Sequence, residues 1–157
     1  MKRRSIIGAS LIVFLAIIVG IYFALTSSQS SAHKQAVQIA TTQGPLQKAR
    51  FYSEFNRDKT YFCVGGWTKK QPQKYQYVLI DGQSGNQRII SGDDDAPQQA
   101  RQIVNDQRHP AKIKQVALGY YRHQLVWEVS YFNKNHTLGY YLTNFKNTKI
   151  IQIIDNL

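Results

Sequence analysis

The feature that most restricts what this chain can fold into is an apolar run from Ile6 to Leu25, interrupted only by Gly8, Ser10 and Gly20. At 1.5 Å rise per residue, ~20 such residues cross a hydrocarbon core ~30 Å thick. The run predicts a transmembrane anchor over residues 6–26, with Ile6, Leu11, Phe14, Ile17, Ile21 and Leu25 among its apolar side chains. Lys2, Arg3 and Arg4 precede it, and no charge follows until Lys34. The positive-inside rule then keeps residues 1–5 in the cytoplasm and sends everything after the anchor outside. The alternative is a cleaved signal peptide, whose apolar region is ~7–15 residues. The run here is longer, and Ala24-Leu25-Thr26 matches a cleavage site poorly. The expected location is therefore the cell membrane, single-pass, with an extracellular C-terminal domain.

Charge narrows the partners of that domain. The chain holds 20 Lys and Arg against 9 Asp and Glu; without the three basic residues before the anchor, 17 face 9, a balance of +8. Outside a cell the available polyanions are lipid headgroups and anionic wall polymer rather than nucleic acid, and attraction to them acts within ~8–10 Å. The basic residues are dispersed, Lys69, Lys70 and Lys74 being the densest group. An ordinary solvated surface explains the same balance.

The chain also repeats itself. At an offset of 64, Ala36-Val37-Gln38-Ile39-Ala40-Thr41-Thr42-Gln43 faces Ala100-Arg101-Gln102-Ile103-Val104-Asn105-Asp106-Gln107, with Ala, Gln, Ile and Gln shared. Val64-Gly65-Gly66-Trp67 then faces Glu128-Val129-Ser130-Tyr131. Tyr77-Val78-Leu79-Ile80-Asp81 and Arg88-Ile89-Ile90 face Tyr140-Tyr141-Leu142-Thr143-Asn144 and Lys149-Ile150-Ile151. Each half reads helix then four strands, which predicts a duplicated α+β unit over residues 27–92 and 93–157. Units of ~65 residues are marginal alone, so the two should pack together.

Local signals place the elements. Asp93-Asp94-Asp95 with Pro97 opens the second helix, and Asp95 with Gln98 has the spacing of a capping box. Ala100, Ile103 and Val104 form its apolar stripe, with Gln107 at the next position of the same i, i+3, i+4, i+7 spacing, and His109-Pro110 ends it. The first helix should end at Gly44-Pro45. Strand alternation puts Leu125, Trp127, Val129 and Tyr131 on one face, with Val126, Glu128, Ser130 and Phe132 on the other. Gly65-Gly66 within a strand predicts a bulge or a close approach. Cys63, the single cysteine, lies in an apolar stretch and reads as a buried small hydrophobe.

Catalytic and metal patterns are missing. His33, His109, His123 and His136 have no partner at metal-ligand spacing, and Glu128 has no second carboxylate for acid–base work. No enzyme activity, cofactor or metal is expected.

A short basic N-terminus, one anchor and two units ending in Leu125-Val126-Trp127-Glu128-Val129-Ser130-Tyr131, Gly139-Tyr140-Tyr141 and Thr148-Lys149-Ile150-Ile151 resemble the TseB-like (YpmB-like) family of Gram-positive bacteria. The second unit resembles a PepSY-type domain, whose last hairpin often reads close to Asp-x-x-Thr-Gly-Lys-Ile. Asn144 here replaces the Asp, and the Gly is missing. The resemblance implies an anchor followed by two tandem cystatin/PepSY-like units, each one helix on an antiparallel sheet. It also implies a regulator of cell-wall elongation that acts on a membrane-anchored transpeptidase of the penicillin-binding class. It brings no catalytic residues. Candidate contacts with such a partner are the aromatics Tyr121, Phe132 and Phe145, unless packing takes them, together with Lys69, Lys70 and Lys74. Direct binding of wall polymer or lipid headgroups and a protease-inhibitor-like role remain alternatives.

Overall fold

The computed structural model describes residues 31–157. The anchor expected at residues 6–26, with Lys2, Arg3 and Arg4, lies outside the described residues. Among these, no helix is long and apolar enough to cross a membrane.

The first helix, α1, is α-helical over residues 31–38 and finishes as a π-turn over Ile39–Gln43. The widened turn has a local cause. Thr41 and Thr42 donate their hydroxyls back to the carbonyls of Val37 (2.7 Å) and Gln38 (2.5 Å), in competition with the backbone. Gly44 then donates its N–H to Ile39 O at 2.8 Å. A Cβ on Gly44 would lie 2.6 Å from Ala40 O, so glycine is required there.

Four antiparallel strands follow in the order β1-β2-β3-β4: Leu46–Asn56, Thr60–Thr68, Tyr75–Asp81 and Gln87–Ser91. Helix α2 (Ala96–Arg108) leads to a second such sheet, β5-β6-β7-β8: Lys112–Tyr121, Gln124–Phe132, Leu138–Asn144 and Ile150–Ile154. The predicted pair of α+β units is therefore present as two four-stranded sheets, each with a helix.

Helix α2 has Pro97 in its first turn and is ended by His109, as read from sequence, but the capping box does not form. Asp95 has helical dihedrals (φ −90°, ψ −8°), so its carboxylate is not turned toward the first-turn N–H groups. It accepts a 2.8 Å bond from the Gln99 amide instead. The Gly65-Gly66 expectation is met in both forms. β1 carries an extra residue opposite this pair, between Ala49 and Phe51, and a Cβ on Gly66 would lie 2.2 Å from Lys48 O.

The halves correspond element by element, though not at the constant offset that the sequence suggested. The β3–β4 and β7–β8 turns are built alike. Asp81 Oδ1 accepts the N–H groups of Gln83 and Ser84, as Asn144 Oδ1 accepts those of Lys146 and Asn147. Counting back from these turns equates Val78 with Tyr141, and the ladders then equate Val64 with Val129 rather than Glu128. The ladders likewise equate Ile89 with Ile153, so Arg88-Ile89-Ile90 matches Gln152-Ile153-Ile154 and not Lys149-Ile150-Ile151. The second hairpin of the later unit is shorter and its first hairpin longer, and β8 carries a bulge. A fixed offset cannot follow such changes, and a one-residue slip exchanges the two faces of a strand.

With the register corrected, both helices cover the same face. Ala36 and Ala40 pack with Val64, Val78 and Ile80; Ala100 and Val104 pack with Val129, Tyr141 and Val116. The other face of the first sheet (Cys63, Tyr75, Tyr77, Leu79) joins the α2 core of the second. The end of β1 crosses to the opposite face of the second sheet, where Phe55 is buried with Ala117, Tyr121, Val126 and Leu142. Gly119 makes room for it, since a Cβ there would lie 2.3 Å from the Phe55 ring. Edges β1 and β5 meet through side chains: Leu118 N–H donates to Ser53 Oγ (3.3 Å) and the Gln115 amide to Glu54 O (2.8 Å). Cys63 is fully buried and free, and burial pushes its thiol up.

The duplicated turns differ at one position. Gly85 has φ +71°, while its equivalent, Thr148, holds φ +55° with a β-branched side chain. Left-handed backbone costs such a residue about 1–2 kcal/mol, partly offset by the unfolded-chain entropy of glycine. Thr148→Gly is expected to raise stability by about 0.5–1 kcal/mol in urea unfolding; a loss would mean that the Thr148 side chain holds the turn.

Candidate functional site

The β2–β3 hairpin is clasped by Thr68, whose hydroxyl donates to Gln71 O (2.8 Å) and accepts Gln71 N–H (3.2 Å). Thr68 N–H also reaches Lys74 O (3.0 Å). This folded loop lies against the end of α1. Lys69 donates its backbone N–H to Pro45 O (2.9 Å) and its ammonium to Gly44 O (3.2 Å), where a helix presents carbonyls and favours a cation. Lys70 and Lys74 remain exposed beside it. The three lysines line one open cavity of about 650 Å³ together with Thr42, Gln76 and Ile89. Ile89, on edge strand β4, is 56 % exposed. The cavity has no carboxylate in its lining. It offers positive charge beside an apolar side chain, which suits an anionic partner.

The predicted aromatics do not join this cavity. Tyr121 is buried, with the Arg57 guanidinium 5.4 Å from its ring centre and Arg122 at 5.1 Å. Phe145 packs against Trp127 (5.9 Å) and Tyr77 (6.3 Å). Phe132 is half-buried at the end of β6. For Tyr121 and Phe145 the packing alternative holds. Alternation assigns a side chain to a face but cannot say what covers that face. Here α2 covers one side of the second sheet and the β1 end covers the other.

The same packing gives Glu128 a partner that spacing did not reveal. Arg57 Nε donates to Glu128 Oε2, and its guanidinium also lies 5.2 Å from the Tyr140 ring centre. Burial pushes the Glu128 carboxyl above the ordinary carboxylate range, and Arg57 pulls it back. A carboxylate in the middle of an apolar strand was the available signal, because such a group needs a cation. The partner lies 71 residues away, beyond any local pattern.

No family model matches the chain. It is 24 % identical over 159 residues to "Probable cell wall elongation regulator TseB" of Bacillus subtilis (strain 168), covering 98 % of this chain and 99 % of that protein. The solved structure of the YpmB protein from Bacillus subtilis is similar with a TM-score of 0.58 and 25 % identity, over 78 % of this chain and 96 % of that one. Similarity along nearly the whole sequence, joined to a shared fold, supports a TseB-like (YpmB-like) family for this protein.

Proposed function

We propose that this chain is a membrane-anchored, non-enzymatic regulator of cell-wall elongation whose extracellular part binds a penicillin-binding-class transpeptidase. The observation that carries this reading is the end-to-end similarity to a protein described as a regulator of cell-wall elongation. The site chemistry agrees with it: the lysine cavity presents cations beside the apolar side chains of Pro45 and Ile89, a surface suited to binding. Anchoring adds a physical advantage. Two partners confined to one membrane meet at high effective concentration, so a modest ectodomain contact suffices.

Crosslinking in cells tests this reading. The full chain should capture a penicillin-binding transpeptidase, and recovery of none across several crosslinkers would count decisively against it. The charge-reversed K69E/K70E/K74E chain serves as the second arm. Loss of the same transpeptidase assigns the contact to the cavity. Retention of the transpeptidase, with salt-sensitive loss of wall-polymer association, favours the second reading, in which the lysines hold anionic polymer directly.

A further inference from the structure

A second cleft lies between the two sheets, and nothing in the lysine cavity explains it. It has a volume of about 550 Å³ and is walled by edge strands β1 and β5 and the start of α2, within the range of small-ligand sites. Arg50 reaches it from the bulge in β1, and Arg101 from α2. Ion pairs among the described residues are Arg57–Glu128 and Arg108–Asp155, so neither cleft arginine is matched to a carboxylate. Asp94 also lines the cleft, which leaves two positive charges against one negative.

Tyr75 adds a hydrogen-bonding group to the cleft wall. Its ring is largely buried (5 % exposed for the whole residue), and its hydroxyl makes no hydrogen bond among the described residues. The hydroxyl is not sealed from solvent, so it is available to donate to a bound group. Burial pushes this phenol up to about 12, with Arg50 pulling the other way, so it stays a neutral donor. Trp67 stands edge-on to it at 5.2 Å and is half-buried, which leaves an apolar surface beside the two guanidiniums.

We infer that this cleft binds an acidic peptide segment, whose carboxylates pair with Arg50 and Arg101 while Tyr75 donates a hydrogen bond and Trp67 packs an apolar side chain. Guanidinium forks match carboxylate geometry. The Gln98 and Gln115 amides in the lining suit main-chain groups of a peptide. A phosphate polymer would use the arginines but leave Trp67 and these amides without a role. The inference does not depend on the identity of the partner proposed above.

The test selects random seven-residue peptides displayed on phage against the full chain in detergent micelles. Enriched sequences should carry Asp or Glu beside an aromatic or aliphatic residue. Their affinity for R50E/R101E should fall at least about tenfold, the loss expected for one charge-assisted hydrogen bond, while K69E/K70E/K74E should bind them as the parent does. Tyr75→Phe should weaken binding without lowering stability, because its hydroxyl has no internal partner to lose. Enrichment without acidic residues would overturn the inference, as would unchanged binding to R50E/R101E. Full competition by soluble poly(glycerol phosphate) at matched charge would overturn it in favour of a polymer site.

Discussion

Replacing Tyr77 with alanine should lower the unfolding free energy by about 3–5 kcal/mol, the range for truncating a buried aromatic. The side chain is fully buried and joins the two halves of the core. Its ring lies 5.9 Å from Phe51 and 5.3 Å from Tyr75 in the first half, and 5.5 Å from Trp127 and 6.3 Å from Phe145 in the second. All four contacts are edge-on, the geometry that aromatic pairs prefer. Truncation removes these contacts and leaves a hole that rigid strands on both sides cannot close. Glycines flank the ring: a Cβ on Gly65 or Gly92 would come within 2.9 Å or 2.8 Å of it.

Tyr77→Phe separates the hydroxyl from the ring. That hydroxyl donates to Asp93 O at 2.6 Å, where the chain turns into α2. Its loss should lower stability by only about 1 kcal/mol, the typical net value of one hydrogen bond. Urea unfolding of the full chain, followed by tryptophan fluorescence, compares the two variants, since Trp127 sits against the substituted ring. A Tyr77→Ala loss below about 1 kcal/mol would mean that the halves are held together elsewhere. Because both halves share this core, a single transition is expected in each variant.

The legibility of this fold in the sequence follows the range of the interactions involved. Helix α2 was readable because Pro97, the stripe of Ala100 and Val104, and His109-Pro110 act within a few residues. The glycine pair was readable for the same reason: a missing side chain in a strand signals a nearby backbone. The duplication was visible, but its register was not. Hairpins that lengthen and shorten leave the net spacing almost unchanged while moving Val64 from opposite Glu128 to opposite Val129. The candidate site divides along the same line. Lys69, Lys70 and Lys74 share one hairpin, so sequence proximity became spatial proximity. Tyr121 and Phe145 were matters of tertiary packing. Arg50 and Tyr75 meet only because a bulge redirects one strand, and no period in the sequence records that.

The second large effect concerns Arg57 and Glu128, where the pH dependence has a definite sign. Burial raises the folded carboxyl of Glu128 above its unfolded value, with Arg57 opposing the shift. A raised carboxyl contributes stability fully below the unfolded value, ~4.3, and loses it as pH rises through the folded one. Arg57→Ala removes the opposing cation, so the folded value climbs further and the loss extends to higher pH. The variant should therefore show its smallest deficit in acid and fall further behind as pH rises, to about 3 kcal/mol at pH 7. Other carboxylates titrate in both proteins, so the difference between parent and variant at each pH is the quantity to follow. Arg57→Lys keeps the charge but loses the planar group beside Tyr121 and Tyr140. It should recover most of the pH-dependent part and little of the remainder. The paired replacement Arg57→Met with Glu128→Leu should be less destabilising at pH 7 than Arg57→Ala, because no buried charge is left uncompensated. A deficit constant from pH 4 to pH 8 in Arg57→Ala would mean that stacking on the tyrosines, and not pairing with Glu128, is what Arg57 contributes.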